Sequence, residues 1–163
     1  MVATPLSPAR FLSRTLALGA AVVLAGTMLA AAPPAEAAVT KPLDIVKVHF
    51  EPKGSDKPTN SGYTQEYIQL RNTGSRTLNL SGYVIRDNGP QKYTFPKGVT
   101  LKPGKTLTIR SGKGSSSSTT RYWGKSSYIW NNTGDTARIY DAKGKRLETC
   151  TITRGTGKTT QTC

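Results

Sequence analysis

Few residues in this chain carry groups that do chemistry, and their spacing fits no common reaction centre. The one histidine, His49, lies in the alternating stretch DIVKVHFE. A strand would hold it there as a packing or surface residue rather than as a general base. The serines crowd into SGKGSSSS, with no Gly-x-Ser-x-Gly elbow and no Ser-x-x-Lys pair to activate one of them. Beyond residue 37 the acids are Asp44, Glu51, Asp56, Glu66, Asp87, Asp135, Asp141 and Glu148. No two are spaced as a run of metal ligands. Carboxylates on separate strands can still converge, as glycoside hydrolysis requires, so a hydrolase stays as the least favoured function. The chain reads as a protein that is not an enzyme and carries no cofactor or metal.

Near the end, GTGKTT invites a phosphate-loop reading, but that loop needs a glycine five residues before Gly157. Ile152 stands there, and only five residues follow Lys158, too few for a helix to present its N-terminus to an anion. The two cysteines, Cys150 and Cys163, lie close together at the end of the chain. In an oxidising compartment such a pair forms one bridge, worth about 3 kcal/mol in the chain-entropy account. It would pin the tail 151–162 back on the last strand. Two thiols and one distant histidine make no four-ligand metal set.

Charge is the strongest compositional signal. Lys and Arg number 23 against nine Asp and Glu, a net +14. Without Arg10, Arg14 and Glu36 the balance is still 21 against eight. Such a domain is drawn to polyanions: nucleic acid, anionic cell-wall polymer or anionic lipid. The bland alternative is basicity for solubility alone. Basic and aromatic residues also interleave, in RYWGK (121–125) and in the pairs Tyr67 with Arg71 and Arg138 with Tyr140. Rings beside guanidinium groups can stack on bases or sugars while the phosphates are paired. Equally, Tyr122 and Trp123 can anchor their loop to the core.

The elements that must position these groups are strands. Residues 16–32 form an unbroken apolar and small-residue run after Arg10 and Arg14, followed by Pro33-Pro34 and by Ala35-Glu36-Ala37. That pattern predicts a secretory signal peptide over 1–37, removed after Ala37, rather than a retained anchor. The remainder divides into a domain over 38–151 and a tail over 152–163. In the domain Ile68 and Leu70 alternate with Tyr67, Gln69 and Arg71, and Leu107 and Ile109 with Thr106, Thr108 and Arg110. Asn72-Thr73-Gly74, Asn88-Gly89-Pro90 and Lys102-Pro103-Gly104 read as turns. Residues 54–62 read as a polar loop and 111–120 as a flexible surface loop. Seven to nine short strands at regular spacing, with no helical periodicity, predict an all-β sandwich.

Three blocks carry a family resemblance: EYIQLRNTGSRTLNLSGYVIRDNG, YTFPKGVTLKPGKTLTI and YWGKSSYIWNNTGDTARIYDAKGK. In this order they closely resemble the lamin-tail domain, in its bacterial secreted form, from about residue 43 to 151. The resemblance implies an immunoglobulin-like β-sandwich with no established catalytic residues. In bacteria such domains accompany secreted or membrane-associated hydrolases and are regarded as adhesion or tethering modules. It also implies a strand ending at Trp130 and a turn at Asn131-Asn132-Thr133-Gly134, with the Asn side chains bonding local backbone. The next strand would start at Asp135, with Ala137 and Ile139 inward, and Asp141-Ala142-Lys143-Gly144 would form a hairpin. The cysteine-bearing tail and the strong basicity depart from the family pattern.

Two functions from different classes are in front. One is a secreted, monomeric binding or adhesion module for an anionic cell-envelope polymer or nucleic acid, with no membrane anchor after cleavage. Its contacts would be non-specific and salt-sensitive, through Arg71, Arg110, Lys113, Arg121, Lys125 and Arg138. The other is a module that binds another secreted or envelope protein through a strand edge or loop.

Overall fold

The computed structural model describes residues 41–52, 57–153 and 155–163. The expected signal peptide and its cleavage site after Ala37 lie outside the described residues. Alternation builds β1 (Leu43–His49), β2 (Tyr67–Asn72) and β7 (Thr106–Arg110), and these pair in register into the centre of a five-stranded sheet. Its edges are β8 (Thr120–Tyr122), parallel to β7, and β11 (Thr160–Thr162), antiparallel to β1. A four-stranded sheet runs in the order β10 (Arg146–Ile152), β9 (Asp135–Tyr140), β4 (Val84–Arg86), β5 (Lys92–Thr94). The two-residue strands β3 (Leu78–Asn79) and β6 (Thr100–Leu101) pair with each other. Eleven strands among the described residues exceed the seven to nine expected, because pieces this short leave no periodicity to read. The architecture is the expected immunoglobulin-like sandwich.

Both sheets turn one face inward. Leu43, Ile45, Val48, Phe50, Ile68, Leu70, Leu107 and Ile109 come from the larger sheet, and Ile85, Tyr93, Ala137, Ile139, Cys150 and Ile152 from the smaller, all in one buried cluster. Along β1 and the residue that follows it the inward positions change parity, from 43 and 45 to 48 and 50. A register shift between Ile45 and Lys47 explains this: one extra residue re-aims every side chain after it. The mixed faces of DIVKVHFE are therefore a bulge. A second shift, between Arg146 and Glu148 in β10, lies across from it. The Ile45 N–H donates to the Glu148 carboxylate at 2.6 Å, joining the two irregular places. Burial lifts the Glu148 carboxyl above its ordinary 4.5, with the Ile45 N–H pulling the other way.

The two flanks of the sandwich are closed differently. On one, Cys150 in β10 is bonded to Cys163 beyond β11, with Cα atoms 5.7 Å apart. The bridge therefore ties the smaller sheet to the larger one. The tail, expected to lie back on the last strand, instead crosses to β1, whose free edge offered unpaired backbone groups. On the other flank Trp123 packs against Tyr93 and Trp130, at ring-centroid distances of 5.7 and 5.9 Å, and its indole N–H donates to the Lys92 carbonyl at 3.0 Å. Trp123 is an anchor.

Three local expectations need correction. The polar loop before β2 contains a four-residue helix, α1 (Asn60–Tyr63), capped by the Thr59 hydroxyl, which accepts from Gly62 N–H. The serine-rich loop is pinned. Asn60 exchanges two hydrogen bonds with the Lys113 backbone, and the Ser117 hydroxyl accepts from the amides of Thr119 and Thr120. Residues 128–130 form no strand. Their amides turn instead to a buried side chain: Glu66, with no solvent exposure, accepts from Ile129 N–H at 2.8 Å and Trp130 N–H at 3.2 Å. A carboxylate stands in for a neighbouring strand.

Candidate anion-binding face

The outer face of the smaller sheet is set by two acids beneath it. At the β4–β5 turn the Asp87 carboxylate accepts from Gln91 N–H at 3.0 Å. Asp135, at the start of β9, accepts from Asn88 N–H at 2.9 Å, Thr136 N–H at 2.6 Å and Asn131 N–H at 3.1 Å. This carboxylate, rather than the Asn side chains, organises the NNTG turn, where Gly134 takes a φ of 130° that other residues avoid. Both acids are buried. Burial first, and the charge of Asp135 second, raise Asp87 above its ordinary 3.8. Their hydrogen bonds fix β4, β5 and β9 in register, with Arg86 opposite both Lys92 and Arg138.

That register decides what faces solvent. Ile85, Tyr93, Ala137 and Ile139 fill the core, so alternation sends Arg86, Lys92 and Arg138 to the other side. The result is one row, Lys92–Arg86–Arg138–Thr149, running across four strands. At the usual strand spacing its three cations sit within about 10 Å. The next row, Thr94–Val84–Tyr140–Arg146, adds a fourth cation. Neither row contains an acid. Like charges directly opposite each other destabilise a sheet. Arg138 is held in place, donating to the Asp87 carbonyl at 3.2 Å and the Asn88 side-chain oxygen at 3.1 Å. Three of its five N–H groups stay open.

The six candidate cations do not gather. Only Arg138 lies on this face. Arg71 stands on the outer face of the larger sheet, opposite Asp44. Arg110 shares that face but is occupied: it lies over the Tyr67 ring at 5.7 Å and donates to the Thr64 carbonyl. His49 stacks on Tyr67 at 5.0 Å and bonds the Gln65 carbonyl through Nδ1. Tyr67 thus has protein against it from both neighbouring strands, which leaves it poorly placed to stack on a base. Lys113 is exposed on the loop tied to Asn60, and Lys125 is held through its N–H to the Ser111 carbonyl. Arg121 departs furthest from expectation. It shares the register of inward-facing Ile109, its Nε is buried, and its charge partly offsets the upward shift that burial gives the Tyr93 phenol.

Arg86, Lys92 and Arg146 complete the face, and sequence reasoning missed them. Arg86 and Lys92 each adjoin a core residue, and Arg146 adjoins Leu147, which packs partly buried against the core, but only the cross-strand register joins them into rows. Among the described residues no three His, Cys, Asp or Glu side chains gather as a metal set, and no helix is long and apolar enough to cross a membrane. The family model described as Lamin Tail Domain matches residues 36–154. No curated protein matches the chain.

Proposed function

We propose that this chain, which belongs to the lamin tail domain family, is a non-catalytic binding module that holds an anionic polymer against the outer face of its smaller sheet. The observation that carries this reading is the unbroken cation row Lys92–Arg86–Arg138. A line of charges matches a chain of anions better than a single small ion, because each neutralised pair releases a counterion. Arg138 is the anchor, since its guanidinium is already oriented and loses little freedom on binding. The polymer class is cell-wall anionic polymer or nucleic acid, read by charge alone. Tyr140 is the single ring in the two rows, too few to stack successive bases, and α1 is too short to read a groove. A leader-like N-terminal sequence and a formed disulfide support a secreted setting.

Titration at rising salt tests the proposal. Three phosphate contacts imply a log–log slope of about −2 for a single chain and about −2.7 for a duplex. Affinity should then fall by roughly 40- to 130-fold between about 0.05 and 0.3 M salt. Poly(glycerol phosphate) and homopolymeric single-stranded DNA serve as probes. Arg86→Gln with Lys92→Gln should flatten the single-chain slope to about −0.7 with the fold intact, whereas Lys113→Gln should leave it unchanged. No binding of either probe at about 0.05 M salt overturns the reading. Capture of an envelope protein that survives high salt would favour a protein partner instead.

A further inference from the structure

The tail crosses from the smaller sheet to the edge of the larger one, and what holds it there is unusual. β11 pairs with β1 over three residues, Lys47 with Thr162, Val48 with Gln161 and His49 with Thr160, while β2 covers the opposite side of β1 along its whole length. None of the β11 side chains belongs to the core: Thr160 and Gln161 are half-buried and Thr162 is exposed. Backbone bonds supply the rest. The Thr159 carbonyl accepts from the amides of Phe50 at 3.1 Å and Glu51 at 3.3 Å, and Cys163 N–H reaches the Val46 carbonyl at 3.4 Å. Lys158 donates to Gln161 and to Thr153, both inside the tail. Gly155 and Gly157, on the approach to β11, are exposed and lie in a turn closed by Lys158 N–H on the Gly155 carbonyl, so they add no apolar contact. A strand with no apolar anchor does not offset the entropy of ordering it. The remaining tie is covalent.

We infer that the Cys150–Cys163 bridge is a redox-sensitive lock: opened by a dithiol, it releases β11 and uncovers the outer edge of β1 while the sandwich stays folded. One thiolate of the dithiol attacks a bridge sulfur, and its second thiol resolves the mixed disulfide. The protein gains two electrons and two protons as two thiols, and the dithiol leaves as a disulfide. The core survives because Cys150 and Ile152 stay packed in β10, and the Glu148–Ile45 bond still joins β10 to β1. The uncovered edge presents unpaired backbone groups next to Phe50 and Glu51, the kind of edge that native sheets keep covered.

Hydrogen exchange on the full-length chain, before and after reduction by excess dithiol, reads the lock directly. Alkylation and intact mass confirm that both thiols are free. The Phe50 and Glu51 amides and those of residues 159–163 should exchange at least about tenfold faster, while Ile68, Leu70 and Ile109 keep their protection. Cys163→Ser should reproduce the pattern without reductant. Unchanged exchange at Phe50 and Glu51 in fully reduced protein overturns the inference, because the tail then holds without the bridge. Loss of protection at Ile68, Leu70 and Ile109 together with the tail also overturns it, because the bridge is then a staple of the whole fold.

Discussion

Glu66 is the position where a single atom change tests the logic of the fold most sharply. Its carboxylate is fully buried and accepts from the amides of Ile129 and Trp130, which have no strand beside them. Glu66→Ala strands two buried donors, at about 1–3 kcal/mol each, and leaves a void. The sum is about 2–6 kcal/mol before any relaxation. For a domain near 126 residues, each kcal/mol moves the melting temperature by about 4 °C. The expected drop is therefore roughly 8–24 °C. Glu66→Gln keeps one acceptor and turns an amide NH2 toward the other donor, so about half that loss is expected. Circular dichroism melts and urea titrations at neutral pH give both numbers. The opposing view is that a buried charge is a burden that an uncharged isostere relieves. A Glu66→Gln protein melting at or above the wild type would refute the strand-substitute argument.

Two more substitutions probe neighbouring contacts. Trp123→Ala should destabilise by about 2–4 kcal/mol, because it removes the ring contacts to Tyr93 and Trp130 and the bond to Lys92. Polymer binding by the folded fraction should persist, and a melt unchanged from the wild type would make Trp123 a candidate ligand contact again. Asp87 has a folded pKa raised above 3.8, chiefly by burial, so the unfolded chain gives up this proton first. Its contribution to stability is therefore most favourable below 3.8 and is lost as pH rises to the raised folded value. Asp87→Asn should flatten the stability–pH curve over that window, and an unaltered curve would count against the shift.

What the sequence made legible was what depends on local chemistry. Asn88-Gly89-Pro90 closes the β4–β5 hairpin and Asp141-Ala142-Lys143-Gly144 the β9–β10 hairpin, with the Asp141 side chain accepting from two amides. Pro103-Gly104 turns the chain between β6 and β7, with Gly104 at a φ of 68°. Alternation placed Ile68, Leu70, Leu107 and Ile109 correctly. What stayed hidden depends on partners remote along the chain. Glu66 lies 63 residues from the first amide that it serves. The β1 bulge flips the parity of a strand with no marker residue at the flip. Arg121 reads as a loop cation after the serine-rich segment, but it belongs to β8, which runs parallel beside β7 and puts Arg121 beside Ile109. Three of the four cations on the candidate face escaped notice because register, not spacing, makes them neighbours.

That row also sets a trade between stability and binding. Arg86 faces Lys92 on one side and Arg138 on the other, with no acid in the row to relieve either contact. Cross-strand like charges oppose pairing, and on an exposed face the repulsion is long enough to feel salt, since the screening length is about 8 Å at physiological ionic strength. Burial of Ile85 and Ala137, and the turn bonds of Asp87 and Asp135, hold the register despite this cost. Arg86→Gln removes two repulsions at once and touches no hydrogen bond of the Arg86 side chain among the described residues. Its melting temperature should therefore rise by about 1–3 °C at low salt, and the gain should fade in high salt. The same substitution should weaken polyanion binding, because one released counterion is lost. A position that is better for the fold without its charge, and better for the ligand with it, is what a binding row predicts. Cations kept only for solubility, and placed far enough apart not to repel, would show no such opposition. If Arg86→Gln melts lower than the wild type at low salt, the row is not under electrostatic strain and the argument from it fails.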